Sequence, residues 1–179
     1  FYRWLGYTWG NHIGEWMDMY SERKDTQVHR VCIIAPRDHS KSTTLRVKLL
    51  YDALFLKWRG KPFTCWLFSA SKDLAARRLT NGAWIRATSV GAAIRGEHPA
   101  CIAFDDVLDD MGDIQPQKIR HWFRKKVTPM LSPGTAIYVV GTPMSMTDLY
   151  HTEMLDNPSW KSGTWSAVTN WDEFKADPE

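Results

Sequence analysis

The chain lacks any long apolar run, and this absence limits what kind of protein it can be. Hydrophobic side chains make up 44% of its 179 residues, but no apolar stretch approaches the roughly 18 residues that a membrane span requires. The first five residues, Phe-Tyr-Arg-Trp-Leu, do not have the pattern of a signal peptide. We therefore expect a soluble, intracellular chain with no membrane partner.

Cysteine and net charge are also scarce. The three cysteines, Cys32, Cys65 and Cys101, lie in separate apolar runs without the spacing of metal ligands. We expect them to be reduced core residues. The formal charge of +3 is too small to indicate nucleic-acid binding, and clusters such as Arg124-Lys125-Lys126 are typical of solvated helix faces. Length and composition indicate a globular chain of ordinary domain size.

Glycine is missing where a phosphate-binding loop normally needs it. Residues 31–44 contain an apolar run that breaks at Pro36, a short polar loop, and Lys41-Ser42-Thr43, where a helical pattern begins. The usual motif is Gly, four residues, Gly-Lys-Ser/Thr, but Ala35 and Ser40 stand at the two glycine positions. Glycine serves there because the loop needs a positive φ or a close backbone approach. A strand followed by a simple Ser/Thr helix cap is therefore an alternative interpretation.

The same stretch nevertheless contains the residue types that hold nucleotide phosphates. Backbone N–H groups and the dipole at the start of the new helix would face an anion. Lys41 would contact the β- and γ-phosphates of ATP, and the Ser42 hydroxyl would be an oxygen ligand for Mg²⁺. The candidate phosphate-binding residues of the loop and helix start include Asp38, His39, Ser40, Lys41, Ser42 and Thr43.

Strand and helix patterns alternate along the chain. Runs that are apolar on both faces predict buried parallel strands at residues 31–35, 63–68, 101–104 and 136–140. Helical spacing predicts helices at about residues 43–58, 72–79, 116–131 and 148–155, with extended segments at 83–90 and 163–168. This order predicts an α/β fold with a mainly parallel β-sheet flanked by helices. Residues 1–27 are expected to form a helical edge segment and residues 28–179 the core.

Polar loops follow these strands at the end of the sheet where ligands bind. Asp105, at a strand tip, would hold Mg²⁺ through water, while Asp106 would orient or deprotonate the attacking water. A turn made of acidic residues is the alternative. After the next strand, Gly141-Thr142-Pro143 offers a hydroxyl beside the γ-phosphate position, which would respond to the state of the nucleotide. A turn without such a role is again the alternative.

Taken in order, these motifs resemble the ATPase domain of the large terminase subunit of tailed bacteriophages. The resemblance covers roughly residues 28–156. Its motifs are residues 35–43, Ile94-Arg95-Gly96, Phe104-Asp105-Asp106, Trp122-Phe123, and Val140-Gly141-Thr142-Pro143 with Asp148-Leu149 after it. It implies a P-loop NTPase with ATP and Mg²⁺ as cofactors.

The resemblance also implies partners and residue roles. The family is an ATP-driven motor that forms a homo-oligomeric ring on a viral portal, works with a small terminase subunit, and moves double-stranded DNA into a capsid in the host cytoplasm. By this likeness Arg37 is the arginine of the phosphate loop, Asp105 the magnesium acid and Asp106 the catalytic acid. Thr142 belongs to the coupling motif. Arg95 matches an arginine finger offered to the neighbouring subunit, unless it only shapes its own loop.

Three departures from the family pattern leave other functions open. Terminases usually have a longer stretch before the arginine-glycine element, whereas here Leu79 runs almost at once into Asn81-Gly82. Asp106 replaces the usual Glu, and the family's C-terminal nuclease is absent, so we expect no DNA cleavage. One alternative is a superfamily 2 helicase-like DNA motor, although such motors usually carry a Gly-Lys-Thr loop and a Ser-Ala-Thr-like third motif. The other is a non-catalytic nucleotide-binding or structural module, which the two missing glycines and the Asp at position 106 favour.

Overall fold

Helices and strands alternate in the computed structural model, which describes residues 1–7, 9–69, 77–92, 94, 98–108 and 116–166. In chain order the elements are α1 (Asn11–Ser21), β1 (His29–Ile34), α2 (Lys41–Phe55), β2 (Lys57–Trp58), β3 (Lys61–Pro62), β4 (Thr64–Ser69), β5 (Arg77–Arg78), β6 (Trp84–Thr88), β7 (Cys101–Asp105), α3 (Pro116–Trp122), β8 (Ala136–Gly141) and β9 (Lys161–Thr164). Helix α3 continues through a π-helical turn, Phe123–Val127, and a 3₁₀ turn, Thr128–Met130. A second π-helical turn spans His151–Leu155.

Among the described residues, seven strands form one sheet in the order β5-β6-β4-β7-β8-β1-β9. Neighbouring strands are parallel except for β5 and β6, which are antiparallel. Strand β8 lies between β1, which leads into the Lys41 loop, and β7, which ends at Asp105. The predicted α/β fold with a mainly parallel sheet flanked by helices is confirmed, and the arrangement is consistent with a P-loop NTPase.

The central strands are buried on both faces. In β1, Val31 and Ile33 pack on the side of α1 and α2, while Cys32 and Ile34 pack on the side of α3. Successive strand residues point to opposite faces, so an unbroken apolar run needs cover on both sides. The two helical layers supply that cover, while residues 37–38 and 143–147, in the loops after β1 and β8, are exposed to solvent.

Two predicted helices differ from the structure. The helix expected at 72–79 is wrong at its end, because Arg77–Arg78 pairs with β6 as an edge strand, while residues 70–76 lie outside the described residues. The helix expected at 43–58 starts two residues earlier and stops at Phe55. The chain then forms the β2–β3 hairpin, which turns at Arg59 and Gly60 with φ of 50° and 73°.

Several other expectations are confirmed. Helix α1 buries Ile13, Trp16, Met19 and Tyr20 against the sheet, although the boundary proposed at residue 27 stays a prediction. All three cysteines are free and buried. Within the described ranges, no helix combines the length and apolar character needed to cross a membrane.

Gly141 closes β8 beneath the Tyr150 ring, and this contact leaves no room for a side chain. A Cβ at Gly141 would overlap the Tyr150 ring, which is fully buried. We expect Gly141→Ala to lower the free energy of unfolding by about 1–3 kcal/mol, because overpacking forces the neighbours to shift. Chemical denaturation would measure the loss.

Gly14→Ala is the matched control. Gly14 lies inside α1, and a Cβ there would meet its nearest atom, Trp9 Cζ2, at an ordinary 3.7 Å. This substitution should raise the free energy of unfolding by up to about 1 kcal/mol, since alanine favours a helix over glycine. Equal effects at both positions would contradict the packing described for Gly141.

Candidate functional site

The loop between β1 and α2 adopts backbone conformations that normally favour glycine. Asp38 and Ser40 have positive φ angles of 66° and 60°, and Ser40 directly precedes α2, where its carbonyl oxygen accepts the Thr44 N–H at 2.8 Å. A left-handed conformation costs a residue with a Cβ roughly 1–2 kcal/mol. The loop thus places Ser40 in the left-handed region that the absent glycine would enter freely.

A cavity of about 430 Å³ opens beside this loop. Its lining residues are Arg37, Asp38, Ser40, Lys41, Ser42, Thr43 and Asp106. The volume lies within the range of small-molecule sites. His39 instead turns toward His12, with ring centroids 6.0 Å apart, and its Nδ1 lies 3.0 Å from the Arg37 carbonyl oxygen.

Lys41 and Asp106 form an ion pair in this cavity. Lys41 Nζ lies 3.0 Å from Asp106 Oδ2 and 3.4 Å from the Pro36 carbonyl oxygen. Lys41 is only 4% exposed, and a buried ammonium is stable only when it is paired and hydrogen-bonded. The pair therefore links the start of α2 to the end of β7.

Asp106 is also fixed by the strand beside it. Its backbone N–H donates to the Val140 carbonyl oxygen at 3.0 Å, and its Oδ1 accepts the Thr142 N–H at 2.8 Å. Asp106 has a positive φ of 48°. The Thr142 Oγ1 is buried and has no hydrogen-bond partner among the described residues. The three loops predicted to meet at the carboxyl ends of the strands are thus joined through one carboxylate.

Asp105 is held by a residue that the sequence interpretation missed. Arg46 Nη2 donates to Asp105 Oδ2 at 2.9 Å. Asp105 is 2% exposed, and its Oδ1 is buried without a hydrogen-bond partner among the described residues. A signal existed in the sequence, because Arg46 follows Ser42 by four residues and therefore lies on the same face of α2.

Two oxygen atoms fit a role as Mg²⁺ ligands, directly or through water. The Ser42 hydroxyl belongs to a residue lining the cavity, and Asp105 has one buried oxygen that no other described residue hydrogen-bonds. The described ranges hold no group of three or more His, Cys, Asp or Glu that could bind a metal alone. Mg²⁺ prefers one or two protein ligands completed by water and phosphate oxygens, so the donor set suits a metal that arrives with a nucleotide.

No protein-family model, curated protein or solved structure matches this chain. The family resemblance therefore stays a prediction. Arg95 lies outside the described residues, so its predicted role as an arginine finger also stays a prediction.

Asp148 organises the loop that follows Thr142. Its Oδ2 accepts the N–H groups of Met144 and Ser145 at 3.0 and 3.3 Å. Its Oδ1 accepts the His151 N–H at 3.0 Å and lies 2.9 Å from the His151 ring Nδ1. Burial raises the Asp148 pKa, but these hydrogen bonds together outweigh burial and lower the pKa below its usual value. The carboxylate therefore stays charged at neutral pH.

The left-handed conformation of Ser40 predicts an unusual effect of glycine. Ser40→Gly should raise the free energy of unfolding by roughly 0.5–1 kcal/mol, because relief of backbone strain exceeds the added freedom of the unfolded chain. Ser42→Gly, two residues later in the first turn of α2, should lower it by about 0.5 kcal/mol because glycine weakens a helix. Urea unfolding without nucleotide measures both variants. A lower free energy of unfolding in both would contradict backbone strain at Ser40.

The hydrogen bonds of Asp148 predict a pH-dependent stability. At pH 7, Asp148→Asn should lower the free energy of unfolding by roughly 1.5–3 kcal/mol, the usual contribution of hydrogen bonds to a charged group. Because the folded pKa is lowered, the stabilisation is complete above the unfolded pKa of about 3.9 and is lost as the pH falls through the folded pKa. The difference in the free energy of unfolding between the wild type and Asp148→Asn should therefore become smaller at acidic pH.

Asp18→Asn, at an exposed position of α1, is the control for this measurement. It should change the free energy of unfolding by less than about 0.5 kcal/mol, as is usual for surface substitutions. A constant difference between wild type and Asp148→Asn from pH 7 into the acid range would show that Asp148 does not act through its charge.

Proposed function

We propose that this chain binds ATP with Mg²⁺ and hydrolyses it, as the ATPase domain of a DNA-packaging motor of the terminase large-subunit type. The observation that carries the proposal is the meeting of Lys41, Ser42 and Asp106, from two separate motifs, around one cavity. In that role the partners would be double-stranded DNA, a portal, a small terminase subunit and further copies of this chain in a ring. The setting would be the host cytoplasm.

The contacts suggest that Lys41 would bind phosphate and that Asp106 would act as the base. The phosphate groups of ATP carry more negative charge than a single carboxylate, and the start of α2 adds backbone donors. Lys41 would therefore exchange its partner from Asp106 to the phosphates. Asp106, still fixed by the Thr142 N–H, would then be free to accept a proton from the attacking water.

Ser42 and Asp105 are the residues that would hold Mg²⁺, directly or through water. The metal, when bound, would neutralise charge on the phosphates. Arg46 would keep Asp105 oriented through Oδ2 while Oδ1 remains available. This arrangement would give a role to the buried Oδ1 of Asp105, which has no hydrogen-bond partner among the described residues.

A non-catalytic nucleotide-binding module is a second candidate, and one observation favours it. Both oxygens of Asp106 are already engaged, by Lys41 and by the Thr142 N–H. If the ion pair persists when nucleotide binds, no base is available and hydrolysis does not occur. A helicase-like motor would share the chemistry of the cavity and would differ by separating the strands of a duplex.

A matched pair of variants tests the proposal, because both lose the ion pair. Lys41→Ala also loses the phosphate-binding charge, so its ATP affinity in titration calorimetry should fall at least tenfold, about 1.4 kcal/mol. Asp106→Asn keeps the shape and releases Lys41, so its ATP affinity should be unchanged or higher. Its turnover should fall by roughly 10²-fold or more, the usual contribution of a general base. Lys125→Ala, at an exposed position, should change neither quantity.

Phosphate release should be measured with and without duplex DNA, at concentrations that favour assembly, because a neighbouring subunit would supply Arg95. Unchanged ATP affinity in Lys41→Ala would contradict the site. Undiminished turnover in Asp106→Asn would place the base elsewhere. ATP binding to the wild type without any phosphate release would favour the non-catalytic module.

A further inference from the structure

A basic edge lies at the end of the sheet opposite the candidate nucleotide site. We define it as residues 22–30, 57–61 and 156–161, which precede or begin β1, β4 and β9. Its cations are Arg23, Lys24, Arg30, Lys57, Arg59, Lys61 and Lys161. Against these seven cations stand three carboxylates, those of Glu22, Asp25 and Asp156. The basic edge therefore carries more positive charge than the formal +3 of the whole chain.

Contacts at the turn before β8 join two of these segments. Arg23 donates to the Gly134 carbonyl oxygen from Nε at 3.1 Å and from Nη2 at 2.6 Å. From the hairpin, Arg59 Nη2 donates to the Pro133 carbonyl oxygen at 3.0 Å. A Cβ at Gly134 would lie only 3.0 Å from Trp58 Nε1. Residues 22–30 and the hairpin thus meet on one turn and form a continuous surface.

On the other side of this turn, a cavity of about 720 Å³ lies between residues 21–30 and residues 158–161. Lys24, Arg30 and Lys161 line it. Lys161 pairs with Glu22, but Arg30 is half-buried and makes no ion pair or hydrogen bond with another described residue through its guanidinium. No Arg30 nitrogen is among the described buried atoms that lack a hydrogen-bond partner, so the guanidinium is open to solvent, while partial burial of the side chain lowers its pKa. The cavity therefore presents an unpaired, accessible positive charge to an anion.

The exposed ammonium groups along the basic edge are also available. Lys24, Lys57 and Lys61 are exposed and form no ion pair with the described carboxylates. From β4 to β9 the sheet order contains four steps between strands, which at about 4.8 Å each span roughly 19 Å. That length corresponds to about five or six base pairs of duplex DNA at 3.4 Å per pair.

The composition of the basic edge favours a phosphate backbone over a protein partner. In the described part of the chain, the large apolar residues that are exposed lie in residues 1–9, 51–55 and 144–146, and none lies in the basic edge. Protein interfaces depend on a core of apolar or aromatic anchors, whereas non-specific DNA binding depends on spaced cations that replace counterions.

We propose that the basic edge binds the phosphate backbone of duplex DNA. The choice of duplex DNA over another polyanion rests on the proposed motor function, but the binding itself is independent of ATP chemistry. The candidate nucleotide site lies at the carboxyl ends of the strands and the basic edge at their amino ends. Strands of five or six residues separate the two by roughly 16–20 Å.

The test compares two triple variants of equal charge by fluorescence anisotropy with a 20-base-pair duplex at several salt concentrations. Lys24→Ala/Lys57→Ala/Lys61→Ala removes three cations of the basic edge. Lys118→Ala/Lys125→Ala/Lys126→Ala removes three exposed cations from α3 and the turn after it. The first variant should bind duplex at least tenfold more weakly at low salt. Its slope of log affinity against log salt should shrink by up to about 0.9 for each lost phosphate contact.

The second triple variant should bind like the wild type. Equal weakening in both would overturn the proposal, because it would indicate a diffuse effect of net charge. Binding of the wild type to polyglutamate but not to duplex would also overturn it, in favour of an acidic protein partner. If circular dichroism shows that a triple variant is unfolded, the single variants Lys24→Ala and Lys118→Ala make the same comparison.

ATP titrations keep this inference separate from the proposed function. The first triple variant should bind ATP with wild-type affinity, and Lys41→Ala should bind duplex with wild-type affinity. Loss of duplex affinity in Lys41→Ala equal to that of the first triple variant would place the DNA contact at the nucleotide site and overturn the proposal. Failure of Lys41→Ala to weaken ATP binding would contradict the nucleotide site alone.

Discussion

The ion pair between Lys41 and Asp106 is the contact on which the arrangement of the candidate site depends. A buried ammonium needs a nearby negative charge, and Asp106 meets this need only because β7 ends beside the start of α2. The same carboxylate accepts the Thr142 N–H, so it also holds the loop after β8 in place. One buried charge thus fixes three loops that lie far apart in the sequence.

Three of the four described non-glycine residues with a positive φ lie at the same site, and the fourth, Arg59, lies in the β2–β3 hairpin. Asp38, Ser40 and Asp106 all have a positive φ, and all three line the cavity. Such conformations persist only where the surrounding structure enforces them, and they are concentrated in functional sites. Here the enforcing structure is a central sheet that is buried on both faces. The Gly141 contact with Tyr150 and the hydrogen bonds of Asp148 fix the adjoining loop.

The distribution of charge matters more in this chain than its sum. A formal charge of +3 gives no indication of a polyanion partner, yet residues 22–30, 57–61 and 156–161 place seven cations at one end of the sheet. The polar loops with the paired acids lie at the other end. A parallel sheet creates this polarity, because all amino ends of its strands face one way and all carboxyl ends the other.

The sequence by itself determined the fold class and which loops form the candidate site, namely those after β1, β7 and β8. Apolar runs and helical spacing are local patterns, so they predicted the central strands, α1, α2 and the helical stretch from Pro116 to Met130. The order of the motifs also predicted that Lys41, Asp106 and Thr142 would meet. Local patterns failed at Arg77–Arg78, where pairing with β6 replaces the predicted helix, and at the β2–β3 hairpin.

Only the tertiary structure decided how the site residues are paired. The hydrogen bond between Arg46 and Asp105 joins residues 59 positions apart. The left-handed backbone at Ser40 could not be predicted from the sequence, because the glycine that usually indicates this conformation is absent. The basic edge likewise exists only because the hairpin and residues 22–30 meet at Gly134. Side chains that are distant in the sequence become partners through packing, and packing depends on the whole sheet rather than on any local pattern.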